Sequence, residues 1–160
     1  MPEQSSSPAP ALKKLDVTIA RLRLLLAEVT AREAAHEEQR RTCREQHNKL
    51  VTFSLYGDSS LDSVLAMLAD VQERLAHLEG RSRSLAAIRK RAENELESLQ
   101  LTKGIEEAKV LLHELQAKQA APLDAADALS PSEIQAEIAR LRALINEAAE
   151  RAAKTISART

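Results

Sequence analysis

The sequence predicts an all-α protein: a long antiparallel coiled-coil helical hairpin with a third helix folding back on the overhang of the second. Three observations lead there. Among 160 residues only Phe53 and Tyr56 are aromatic and only three are glycine, while 29% are charged. A compact core normally draws much of its area from large rings, and this composition is that of long helices. Apolar residues recur at steps of three and four over dozens of positions, which is the period of a helix seam. Turn and capping chemistry interrupts that pattern at only two internal places.

Residues 1–10, MPEQSSSPAP, read as a Ser/Pro-rich disordered tail. The first helix follows, from about 11 to 52. Its ladder is Leu12, Leu15, Ile19, Leu22, Leu26, Val29, Glu33, His36, Arg40, Cys43, His47 and Leu50, with no slip in the heptad. The turn is expected over 53–59, where Gly57-Asp58 breaks the helix and Asp58 or Ser59 caps the next one. The second helix runs to about residue 121. Its expected core is Leu61, Val64, Leu68, Val71, Leu75, Leu78, Leu85, Ile88, Ala92, Leu96, Leu99, Ile105, Ala108, Leu112 and Leu115. Read on apolar residues, the phase slips between Leu78 and Ile88, and Gly80 costs about 1 kcal/mol relative to Ala inside a helix, so a kink or short break is expected over 80–84.

Residues 122–130 read as a linker. Ser130-Pro131-Ser132-Glu133 is a capping box with proline at the first helical position. It starts a third helix over 131–158, with Ile134, Ile138, Leu141, Ile145, Ala148 and Ala152 on one face. Pivoting at Tyr56, residue i of the first helix faces about residue 112 − i of the second, which sets Leu26 near Ala86, Cys43 near Ala69 and His77 near His36. The expected product is a rod.

The first helix carries a second stripe: Val17, Ala20, Leu24, Ala27, Ala31 and Ala34. At about 100° per residue it lies roughly 150° from the first. An apolar stripe left in water is adhesive, and small residues let another helix approach closely. These residues are therefore expected to bind a helical partner, either another copy or a different chain. The competing explanation is that Ala is the best helix former and sits readily on exposed faces; Val17 and Leu24 weigh against it. Phe53, Leu55 and Tyr56 cluster at the tip and either close the bundle end or make a contact point, since such residues anchor interfaces.

The stretch HEEQRRTCREQH (36–47) holds His36, His47 and the only cysteine, Cys43. Cys43 and His47 are spaced to share one ion, but His36 is two turns away and zinc takes at least three protein ligands. The better reading is a polar belt of Glu33, Arg40, His47 and Gln72 that fixes helix alignment, with Cys43 as a small buried group. No metal site and no cofactor are expected. The basic run 81–91 (Arg81, Arg83, Arg89, Lys90, Arg91) spreads around the helix and is followed by Glu93, Glu95 and Glu97, with Arg89–Glu93 and Arg91–Glu95 as i,i+4 pairs. With a net charge of −1 and no aromatic beside these cations to stack on bases, nucleic acid is not an expected partner. No apolar run approaches the roughly 20 residues of a membrane span, so no membrane contact is expected either.

No nucleophile elbow, phosphate loop or dinucleotide fingerprint occurs. The functional expectation is a non-enzymatic scaffold or structural subunit that assembles with other helices, in the cytoplasm, or in the nucleus of a eukaryote. One alternative is an adaptor or chaperone-like module whose hairpin grips a client. Only in outline, the chain looks like the stalk proteins of flagellar and type III export ATPases, prefoldin-type chaperone subunits and many subunits of large eukaryotic assemblies; no specific motif ties it to any of these families. Prefoldins place strands between their helices, and the turn here is too short for them. The other alternative is a metal- or pH-responsive coiled-coil sensor.

Overall fold

A computed structural model describes residues 8–120 and 130–157, with side chains over 10–120 and 130–154. The described residues form three helices: α1 (Pro8–Tyr56), α2 (Leu61–Ala120) and α3 (Pro131–Ser157). The fold is all-α, and the described residues contain no strand. They divide into two compact units: one is Arg23–Glu93, and the other combines Met1–Leu22 with Asn94–Thr160.

The helix ends depart from expectation in instructive ways. Residues 1–7 of the expected tail lie outside the described residues, but Pro8–Pro10 belong to α1. Proline fits there because the first N–H groups of a helix have no intrahelical acceptor to lose. At the other end α1 runs through Phe53, Ser54, Leu55 and Tyr56, so these are helical rather than turn residues. The break is shorter than expected and is confined to residues 57–60. The Gly57 amide still donates to the Phe53 carbonyl at 2.7 Å. A Cβ on Gly57 would lie 2.6 Å from that oxygen and 2.7 Å from the Phe53 ring, so the ring occupies space that only glycine leaves open.

The cap of α2 is Ser60, not Asp58 or Ser59. Its hydroxyl accepts from the Ser63 amide at 3.3 Å, and its carbonyl accepts from the Val64 amide at 3.2 Å. α2 then passes through Gly80 without interruption, and the Ser84 hydroxyl donates to the Gly80 carbonyl at 3.2 Å. The expected kink or break at 80–84 is therefore not a break in the helix. At the start of α3 the capping box forms as read. The Ser130 amide donates to Glu133 Oε2 at 2.8 Å, and the Glu133 amide donates back to Ser130 Oγ at 3.4 Å. The hydroxyl and amide of Ser130 hold the Glu133 carboxyl below its usual pKa. The expected linker, apart from Ser130, lies outside the described residues.

Within the Arg23–Glu93 unit, α1 and α2 pack antiparallel. Every half-buried or buried position of α1 here belongs to the predicted ladder, from Leu26 and Val29 to Leu50. On α2 the protected side chains run Val64, Leu68, Val71, Leu75, Leu78, Ser82 and Leu85, then Ala92, with the half-buried Gly80 lying off this ladder. Their three- and four-residue steps never slip if Arg89 fills the place between Leu85 and Ala92. The predicted core residues Leu61 and Ile88 are instead exposed, Ile88 at 47%. Arg89 donates from Nη1 to Glu33 Oε2 at 2.9 Å, joining a ladder position of α1 to one of α2.

That pair also corrects the alignment. Residue i of α1 faces about residue 121 − i of α2, so Cys43 meets the Leu78 level rather than Ala69. Cys43, His77 and Leu78 indeed line one groove, which overturns the pairing of His77 with His36.

In the other unit, Lys103 Nζ of α2 lies 2.6 Å from Asp16 Oδ1 of α1, again antiparallel. Ile19 is buried on α1 and Ala108 on α2. Gln116 and Gln119 near the end of α2 share a groove with Gln135, Ile138 and Arg142 near the start of α3, so α3 turns back beside α2. Its buried residues, Ile134, Ile138 and Leu141, continue into half-buried Ile145, Ala148 and Ala152. That is the face read from the sequence.

Candidate functional site

The stripe on α1 is built by helical geometry alone. Its members alternate by three and four, as the seam does, and so they share a face turned away from α2. Val17 is 56% exposed and Leu24 72%. Ala20, Ala27, Ala31 and Ala34 are exposed as well. A buried Leu side chain stabilises a fold by roughly 1.5–3 kcal/mol relative to an exposed one. Among the described residues Leu24 forgoes that contribution.

The borders of the stripe are charged. Asp16 and Arg23 flank one side; Arg21 and Glu28 flank the other. Asp16 is engaged by Lys103, whose ammonium pKa is raised chiefly by the hydrogen bond it donates to Asp16. Glu28 pairs with Arg32 one turn along at 2.6 Å. Arg21 and Arg23 have no acidic partner among the described residues.

At the hairpin tip, Phe53, Leu55 and Tyr56 sit in the last turn of α1, with Tyr56 86% exposed. Leu61 and Leu65 open α2 and are exposed too. The tip residues therefore do not plug the bundle end. Phe53 packs its ring on Gly57, and Leu55 and Tyr56 project into water.

The polar belt is partly as expected. Glu33 and Arg40 hold ladder positions, His36, Cys43 and His47 are half-buried, and Gln72 is exposed. The missing member is Arg89, which composition assigns to a solvated face. It reaches Glu33 and also stands 4.0 Å from Glu93. Sequence reading could have found it by extending the ladder rigidly past Leu85. Among the described residues His36 Nδ1 and Arg40 Nε are buried without a hydrogen-bond partner.

Cys43 and His47 lie on the same side of α1, and Cys43 is a free thiol. Among the described residues no group of three or more His, Cys, Asp or Glu side chains is placed to hold a metal ion. No helix among them is long and apolar enough to cross a membrane.

No protein-family model matches this chain, and neither the curated proteins nor the solved structures gave a match.

Proposed function

We propose that this chain is a non-enzymatic coiled-coil subunit or scaffold that assembles with other helices through the second face of α1. The observation that carries the reading is the exposure of Leu24 and Val17 on the face opposite the hairpin seam. Burying that face against a partner helix would contribute about 25 cal/mol per Å² of apolar surface. A Leu24→Glu substitution places a charge in the centre of the stripe and leaves the seam untouched. Assembly is expected to fall while helicity by circular dichroism stays the same. Assembly of the Leu24→Glu chain at wild-type strength would refute the reading.

A second reading is favoured by the tip. Tyr56 and Leu55 are large side chains held in water at the end of a hairpin, as an adaptor that grips its client end-on would require. Under it, Leu55→Ser with Tyr56→Ser abolishes partner capture while Leu24→Glu leaves it intact. The reverse pattern would assign capture to the stripe.

A further inference from the structure

The charges bordering the stripe say which helix fits it. We propose that the stripe pairs with the same stripe of a second copy of this chain, parallel and in register, so that two hairpins join through their α1 helices. The inference rests on the docking role of this face proposed above.

In a parallel pair each stripe residue meets its own counterpart: Val17, Leu24 and Ala31 at one core position, Ala20, Ala27 and Ala34 at the other. The residue before the first core position then faces, across the interface, the residue five further along the partner helix. That rule pairs Arg23 with Glu28 of the second copy, and Glu28 with its Arg23. One heptad earlier it pairs Asp16 with Arg21 in the same way. Both steps join opposite charges, and the twofold axis repeats each of them. The next step, Thr30 with Ala35, is neutral. Beyond the stripe, Lys13 and Glu38 would meet their own copies, which limits the contact to residues 17–34.

The antiparallel alignment that overlaps all six stripe residues is poorer. It keeps Arg21 opposite Glu28 but sets Arg23 against Thr30 and Asp16 against Glu37. Arg23 has no acidic partner among the described residues, so the second copy supplies one; Glu28 would share its carboxylate between Arg23 of that copy and its own Arg32, and Asp16 would share its own with Lys103.

Sedimentation velocity on the full chain tests the proposal, with a reversible dimer expected. Arg23→Glu and Glu28→Arg each turn two attractions into two repulsions, and each is expected to raise the dimer dissociation constant about tenfold. The two changes together are expected to restore it. Rescue by Arg21→Glu with Glu28→Arg instead would overturn the parallel arrangement in favour of the antiparallel one. As an independent reading, a Cys43→Ala, Leu24→Cys chain is expected to form an intermolecular disulfide on air oxidation, because parallel pairing brings the two copies of residue 24 together. A chain that stays monomeric at high concentration would overturn self-pairing while leaving a heterologous helix for the same face. A dimer indifferent to Leu24→Glu would overturn both the pairing and the docking role beneath it.

Discussion

Replacing Gly80 by alanine should stabilise the protein, and by an amount the structure fixes. Gly80 lies inside α2 with helical neighbours on both sides. A Cβ built there meets no atom within 4 Å, so the new methyl adds neither clash nor strain. What remains is the backbone entropy that alanine no longer contributes to the unfolded chain, together with its better helix propensity. The two are a single effect of about 0.8–1.0 kcal/mol. At about 2.1 cal/mol/K per residue, 160 residues carry an unfolding entropy of roughly 0.3 kcal/mol/K, so the melting midpoint should rise by about 3 °C. Thermal melts followed by circular dichroism at 222 nm, with urea melts as a second measure, read this directly. An unchanged or lowered midpoint would mean that α2 does not run as continuous helix through residue 80, and with it the unbroken ladder from Val64 to Ala92 would fail.

Other perturbations probe the remaining elements. Val64, 1% exposed, is the tightest point of the hairpin; Val64→Ala should cost about 2 kcal/mol in urea unfolding, and a loss under 0.5 kcal/mol would show the tip end of the seam to be loose. A double-mutant cycle on Glu33→Gln and Arg89→Gln should give a coupling of about 0.5–1 kcal/mol that shrinks at 1 M salt, because Arg89 is nearly half exposed; zero coupling would remove the pair as an alignment device. Ser130→Ala deletes the cap of α3 and should cost about 1 kcal/mol. Because the Glu133 pKa is lowered in the folded chain, its contribution is present above the usual carboxylate range and is lost as pH falls through the folded value. Wild-type helicity should therefore drop on acidification through that range, and the Ser130→Ala chain should show a smaller drop; equal drops would refute the capping role.

Periodicity made most of this fold legible. All twelve ladder residues of α1 and the whole face of α3 follow from three- and four-residue steps, since a helix in a seam has no other way to bury a stripe. Choosing apolar residues over strict period failed at Ile88. The ladder requires residue 89, and an arginine can fill such a place by laying its alkyl stem along the seam and carrying its head to a carboxylate. Leu61 failed differently: it is the first residue of its helix, where α1 has already ended its packing. The alignment missed by about nine residues because the turn was centred too early and because the two helices do not meet at their tips. Neither fact is written in composition. The stripe on α1 was visible in the sequence because helical geometry alone places its residues on one side.

Two helices striped at a repeating interval can slide past each other by a whole repeat and still match oil to oil. The cross-helix ion pairs act here like the teeth of a vernier. If α2 slid seven residues either way, Glu33 would meet Ser82 or Leu96 in place of Arg89, and Asp16 would meet Leu96 or Val110 in place of Lys103. Each wrong setting leaves Glu33 and Asp16 opposite an uncharged residue, while Arg89 and Lys103 keep only Glu93 and Glu107 of their own helix, so the two acids on α1 and the two bases on α2 favour one setting among several that the apolar residues alone would accept.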